Sequence, residues 1–175
     1  MCDVLDDLEE LDEDLEDGNP TLKYLSVLYG IYKRDFIQNT IKVNGRNIIV
    51  QRDILNEKRY GIFRGKQKTF HHIVTKENEE YKKRYFDRYR ANKIHWIRPI
   101  LENRNDDRIK KFEKLNYDGD NQLYFWYKEK DFIVILKAIN PNLLLVTAFF
   151  VDKDRKDKYQ RYYDEYRQKN TPLHK

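Results

Sequence analysis

The adjacent pair His71 and His72 offers the clearest acid–base chemistry in this sequence. Histidine titrates near neutral pH, so it can act as a general base or a general acid. Two lysines, Lys66 and Lys68, precede the pair, and apolar residues flank it. Neighbouring side chains diverge in a helix or a strand, so we expect at most one histidine to face the core while the other faces a cleft. The alternative is that neither has a chemical role.

RNA cleavage without a metal ion requires a base for the 2′-hydroxyl proton, cations around the phosphoryl oxygens and an acid for the leaving 5′-oxygen. A cluster of cations between Tyr85 and Trp96 and just beyond could supply the charge. Its members are Arg84, Arg88, Arg90, Lys93 and Arg98. A hydroxyl group is present at Thr147, inside an apolar run. A buried hydroxyl needs a partner, which a cleft would provide, although threonine is also an ordinary strand residue.

Aromatic residues near these cations could stack on the bases of RNA. Tyr124, Trp126 and Tyr127 are candidates, and a place in the core is the alternative for them. The full set of residues that we expect to contact RNA is Lys66, Lys68, Arg88, Lys93, Trp96, Arg98, Tyr127 and Lys128.

Charge is distributed very unevenly along the 175 residues. The first 17 residues hold ten acidic side chains and no Lys or Arg, whereas the other 158 hold 35 basic and 20 acidic residues. A body this basic favours a polyanionic partner, because Lys and Arg neutralise phosphates. A well-solvated lysine-rich surface is the alternative.

Several classes of function are disfavoured by what the sequence lacks. Its one cysteine, Cys2, excludes an intrachain disulfide and a thiolate zinc site, and its one serine, Ser26, lies within a predicted helix. No phosphate-binding glycine loop and no His ligand spacing is present, so we expect neither a cofactor nor a metal. The acidic start does not fit a secretory signal, and residues 143–151 are too short to cross a membrane. We therefore expect a cytoplasmic protein without a membrane partner.

Hydrophobic spacing predicts an α+β fold, in which N-terminal helices pack on a C-terminal antiparallel meander that a final helix follows. Three units are expected: an acidic amphipathic segment (1–18), a helix with a hairpin (19–58) and an α+β domain (59–170). The predicted helices are 3–17, 22–36 with Thr21 as N-cap, 77–92, 106–115 and 153–168. The pattern leaves open an earlier start of the third helix, with Thr69 as its N-cap. The predicted strands are 41–43 and 47–50 around Asn44-Gly45, then 59–63, 94–100, 123–128, 131–139 and 143–151.

Four segments together resemble the phage nucleases that are grouped with barnase, EndoU, the colicin tRNases and RelE. They are Thr69–Val74, Arg90–Ile97, Tyr124–Tyr127 and Leu145–Val151. Their order and spacing carry the resemblance, which spans about residues 59–168. It implies N-terminal helices on a four-stranded antiparallel sheet. It also implies metal-independent cleavage of RNA, often tRNA or mRNA. We expect such a phage protein to act in the bacterial host cytoplasm, as a toxin, a counter-defence factor or a virion protein.

The resemblance also implies a site. A histidine before the sheet, basic residues and a Ser or Thr on a late strand correspond here to His72 (with His71 as the alternate), to Arg90 or Lys93, and to Thr147. His72 would be the general base or acid, the two cations would bind the scissile phosphate, and Thr147 would orient it. An aromatic hydroxyl often follows that Thr in the family, whereas Phe149 stands here.

Two other functions remain open from the sequence. The same face could bind RNA, or a host protein, without chemistry. The acidic segment could mimic nucleic acid and shield the basic face, bind an inhibitor or a host protein, or serve as a solubilising tail.

Overall fold

The computed structural model describes residues 3–11 and 20–170, and it confirms the predicted α+β class. The helices are α1 (Leu22–Lys33), α2 (Lys68–Val74), α3 (Arg88–Ala91), α4 (Ile97–Glu102) and α5 (Lys153–Asn170). The strands are β1 (Lys42–Val43), β2 (Arg46–Ile49), β3 (Thr75–Glu77), β4 (Arg84–Phe86), β5 (Ile109–Leu115), β6 (Asn121–Tyr127), β7 (Phe132–Ile139) and β8 (Asn142–Phe150). Short 3₁₀ turns cover Lys58–Phe63, Ile94–Trp96 and Lys128–Lys130, and a π-helical turn, Arg34–Gln38, extends α1.

Six strands form one sheet in the order β1-β2-β8-β7-β6-β5, and β3 pairs with β4 separately. The predicted antiparallel meander is confirmed, with β5 as a further strand. The sheet as a whole is mixed, because β2 runs parallel to β8. Helices α2 and α4 pack on the sheet, and α5 packs against β5 on the face where Trp126 and Tyr159 are buried. No helix within residues 3–11 and 20–170 is long and apolar enough to span a membrane.

The acidic segment begins as part of the core rather than as a helix. Residues 3–11 contain a single turn over Val4–Asp7, so the predicted helix is wrong there, and residues 12–17 lie outside the described residues. Leu5 is fully buried and Leu8 is 6% exposed. Both belong to the same hydrophobic cluster as Leu28 of α1 and Leu136 of β7. Residues 3–8 therefore dock on the body of the protein through these two leucines, an outcome that the sequence had left open beside a solubilising tail.

Two local predictions near the start of the chain, the Thr21 N-cap and the Asn44-Gly45 turn, are confirmed. Thr21 caps α1, since its Oγ1 accepts a hydrogen bond from the N–H of Tyr24 at 3.2 Å. Asn44 and Gly45, with φ of 52° and 77°, make the turn between β1 and β2. Both residue types tolerate this left-handed backbone, which explains the strength of the signal.

The predicted helix over 77–92 is wrong. The chain forms the β3–β4 hairpin there, followed by the short α3. In the loop, the side-chain oxygen of Asn78 accepts hydrogen bonds from the N–H groups of Glu80 and Tyr81, both at 2.9 Å. Lys82 adopts a positive φ of 53°. This local side-chain bonding favours a turn over a helix, and the tyrosine spacing did not reveal it.

The predicted strand over 94–100 is also wrong, because the chain is helical through Ile94–Trp96 and α4. Pro99 lies in the first turn of α4, where its missing N–H has no intrahelical acceptor to lose. Ile94, Ile97 and Leu101 are buried at spacings of three and four residues, which is the period of a helix.

Two further predictions of secondary structure are wrong. Residues 59–63 form a 3₁₀ turn around Gly61, whose φ is 51°, instead of a strand. Residues 106–115 contain β5 instead of a helix. The Asp106 carboxylate accepts from the N–H of Arg108, two residues on, at 2.9 Å, but the chain then pairs with β6 instead of continuing as a helix.

Candidate active site

An open cleft of ≈ 1360 Å³ lies between α2, the β3–β4 hairpin, α3 and the start of α5. Its lining is strongly basic, with seven cations against the three carboxylates of Glu77, Asp87 and Asp152. The cations are Arg59, Lys76, Lys82, Lys83, Arg84, Arg90 and Arg155. Field lines concentrate in a cleft lined by one sign of charge, so this one attracts polyanions.

Helix α2 brings both predicted histidines into the cleft. It forms because Phe70, Ile73 and Val74 are buried on its other side. His71 is only 6% exposed, and its ring packs edge-on against Phe63 with centroids 4.9 Å apart. His72 is half-buried, and its ring lies 6.1 Å from that of His71. Of the two, His72 is therefore more accessible to a substrate, although both line the cleft.

Two guanidinium groups converge on one backbone position beside the histidines. Arg84 on β4 donates from Nε to the Thr75 hydroxyl at 2.9 Å and from Nη2 to the Thr75 carbonyl at 2.8 Å. Arg90 on α3 donates from Nη1 to the same carbonyl at 3.1 Å. Its Nη2 has no hydrogen-bond partner among the described residues. Arg90 thus keeps donors for an anion in the cleft.

The cleft holds both histidines neutral at physiological pH. Burial, and then the positive charge of Arg84, lowers the pKa of His71 to about 4. The pKa of His72 is also lowered to about 4. Burial is the largest cause, and the nearby charges of Arg84, His71, Lys68 and Arg90 lower it further. A neutral histidine can accept a proton. A phosphate beside the arginines would offset part of their charge and make that proton more favourable.

We expect NMR titration to find His71 and His72 protonating near pH 4, well below the ordinary value of about 6.5. The measurement follows the ring Cε1–Hε1 resonances as the pH is lowered. Titration of both cleft histidines near 6.5 would contradict the burial described here.

The same shifts make the fold sensitive to acid. Between about pH 6.5 and 4 the unfolded chain binds protons at both histidines and the folded chain does not. The free energy of unfolding is therefore highest above the unfolded pKa of about 6.5, and it falls as the pH is lowered toward 4. The expected loss is at most about 3 kcal/mol for each histidine.

The predicted catalytic threonine lies elsewhere. Thr147 pairs with Ile135 across β8 and β7, on the face of the sheet that α5 covers. It is not among the residues that line the cleft. Its Oγ1 is buried with no hydrogen-bond partner among the described residues. The structure thus separates Thr147 from His72 and Arg90.

None of the eight residues predicted to contact RNA is among those that line the cleft. Lys66 lies over the Tyr29 ring, and Arg88 over the Tyr89 ring. Arg98 pairs with Glu102 at 2.8 Å. Lys68 is exposed at the start of α2. Lys128 donates to the Gln160 side chain at 2.7 Å.

Residues 3–11 cover the remaining three residues that were predicted to contact RNA, which are Lys93, Trp96 and Tyr127. Lys93 is 2% exposed and pairs with Glu10 at 2.5 Å. Trp96 donates from Nε1 to the Glu9 carbonyl at 3.0 Å. Tyr127 is 1% exposed, and its hydroxyl donates to the Leu5 carbonyl at 3.4 Å. These residues do not face solvent while the segment is docked.

Sequence reasoning missed part of the cleft. Arg84 stood in the predicted cation cluster without a role. Tyr60, Lys76 and Arg155 gave no signal, because the fold brings them together from distant parts of the chain.

Within the described part of the chain, no group of three or more His, Cys, Asp or Glu side chains is placed to hold a metal ion. The chain matches no protein-family model, no curated protein and no solved structure. Any activity must therefore be argued from the cleft itself.

Proposed function

We propose that the chain is an endoribonuclease that cleaves RNA in this cleft by acid–base chemistry. The observation that carries the proposal is the placement of two neutral histidines in one cleft with the half-buried side chains of Arg84 and Arg90. A base that is unprotonated at pH 7 next to fixed cations suits attack of a 2′-hydroxyl on a phosphodiester.

In the proposed step, His72 takes the proton of the 2′-hydroxyl as the 2′-oxygen bonds to phosphorus. The bond from phosphorus to the 5′-oxygen breaks, and that oxygen takes up a proton, either the one now carried by His72 or one from water, in which case His72 gives its proton to the hydroxide that is left. The products are a 2′,3′-cyclic phosphate and a 5′-hydroxyl. Arg90 binds the phosphoryl oxygens, and the exposed Lys82 and Lys83 on the β3–β4 loop hold neighbouring phosphates.

We expect the purified protein to cut total RNA in the presence of EDTA and to leave cyclic-phosphate ends. The products are resolved on a denaturing gel, and treatment with polynucleotide kinase, which removes the cyclic phosphate, alters their mobility. The His71→Ala, His72→Ala double variant is the control. Intact RNA after incubation, or equal cutting by the double variant, would overturn the proposal.

A second function, RNA binding without cleavage, is favoured by one observation. Arg84 makes its hydrogen bonds with Thr75 and with the His72 carbonyl, as a residue that braces α2 against β4 does. The cleft would then be a rigid basic surface with no chemistry. This function predicts RNA that binds with strong salt dependence and stays intact.

A further inference from the structure

A second, smaller depression of ≈ 670 Å³ adjoins the cleft. Residues 8–11 form one wall, and Lys93, Trp96 and Phe150 lie opposite. Phe150 also lines the large cleft, and its ring lies 6.4 Å from that of Tyr89 on the cleft wall. The two cavities therefore meet at Phe150, so one strand could pass from the first into the second.

Lys93 is built into this second cavity as a cation among rings. Its Nζ lies 5.3 Å from the Phe150 ring centre and 5.5 Å from the Trp96 ring centre. It also donates to the Tyr89 carbonyl at 3.3 Å. The N–H of Lys93 donates to the carbonyl of Arg90 at 3.2 Å, so one turn of backbone joins it to the cleft arginine. A buried cation beside aromatic rings suits a phosphate with a stacked base.

The position beside the Lys93 ammonium is already occupied by a carboxylate, that of Glu10. The Glu10 carboxylate contacts the Lys93 ammonium at 2.5 Å, and its side chain remains 35% exposed. We propose that Lys93, Trp96 and Phe150 form a second nucleotide subsite for an RNA strand that leaves the cleft, and that Glu10 fills its phosphate position until RNA displaces it. This proposal rests on the proposed RNA-binding function of the cleft.

The segment is anchored in a way that allows such displacement. Leu5 and Leu8 are buried in the core, whereas Glu9 and Glu10 are exposed and Leu11 is 39% exposed. Three contacts to the backbone hold the exposed part. The Glu9 carbonyl lies within hydrogen-bond distance of Trp96 Nε1 at 3.0 Å and His95 Nε2 at 2.8 Å, and the Leu11 N–H donates to the Asn92 carbonyl at 3.2 Å. Residues 3–8 can therefore stay docked while residues 9–11 give way to RNA.

The test measures binding by fluorescence anisotropy with labelled 2′-O-methyl oligouridylates, in which the blocked 2′-oxygen prevents cleavage. A dinucleotide fits within the cleft alone, and a decanucleotide extends beyond it. We expect Glu10→Gln to tighten decanucleotide binding about three- to tenfold, as removal of a partly exposed ion pair allows, and to leave dinucleotide binding unchanged. Lys93→Gln should weaken decanucleotide binding alone.

Asp6→Asn is the matched control, because it removes the same charge from the same segment. Asp6 pairs with Arg108 at 2.5 Å, and neither residue lines either cavity. An equal effect of Glu10→Gln and Asp6→Asn on the decanucleotide would overturn the subsite and leave only net charge. Arg90→Gln tests the cleft separately: dinucleotide binding that survives this change would overturn the cleft as an RNA site, whatever Glu10→Gln does.

Discussion

Replacing His72 with alanine is expected to lower the rate of RNA cleavage by about 10²- to 10⁴-fold, the usual loss of a general base. His72 lines the cleft, is half-buried and is held neutral by its low pKa of about 4. The rate is measured with a fluorogenic oligoribonucleotide in EDTA. Its pH profile gives a second readout. A base of this pKa should leave kcat/KM flat from pH 7 down to about 5, where an ordinary histidine would already lose activity.

His71→Ala is the comparison for this experiment. His71 packs against Phe63 and Tyr60, so its loss should reduce stability as well as activity. A folded His72→Ala variant with the unchanged rate would remove His72 from the mechanism. If only His71→Ala slowed cleavage, the base would be His71.

The elements that sequence predicted correctly share one physical property, which is that short-range signals specify them. Asn44-Gly45 accepts the left-handed turn, and Thr21 caps α1 with its own hydroxyl. The segments of the meander, residues 123–151, combine apolar strands with turn residues at short spacing. In each case the residues that determine the structure lie within a few positions of one another.

The wrong predictions over residues 94–100 and 106–115 arose where packing against distant residues decided the structure. Residues 109–115 alternate Ile109, Phe112 and charged residues in a way that suits a helix or a strand, and pairing with β6 selects the strand. Residues 94–100 alternate apolar and polar residues as a strand does, and Pro99 fits an edge strand as well as the first turn of α4. Periodicity alone could not choose between these outcomes.

The candidate site was only partly readable for the same reason. His71, His72 and Arg90 were recognisable because histidines and arginines carry chemistry wherever they lie. That Glu10 would cover Lys93 is a contact across 83 positions, and no local pattern encodes it. Thr147 was selected by resemblance, and the bulge between Ile135 and Leu136 in the β7–β8 register places its side chain on the α5 face.

Arg90→Gln is expected to lower kcat/KM by about 10²- to 10³-fold, as loss of a fixed donor to the phosphoryl group does. The Arg90 guanidinium lies over the Phe149 ring at 5.2 Å and near Asp87 at 3.6 Å, so it is held in place before substrate binds. The Thr75 carbonyl keeps its hydrogen bond from Arg84 when Arg90 is lost. The change should therefore affect catalysis more than folding, which a thermal melt checks.

Arg90→Lys and Arg59→Gln separate position from charge. Lysine keeps the charge but not the planar pair of donors, so Arg90→Lys should recover only part of the rate. Arg59 is an exposed cation on the cleft wall, and its loss should raise KM a few fold in a salt-dependent way with little change in kcat. Equal, salt-dependent increases in KM for the Arg90 and Arg59 variants would mean that Arg90 only attracts RNA. A loss in kcat confined to Arg90 would assign it to the transition state, since only a donor aimed at the reacting phosphate stabilises the charge that develops there.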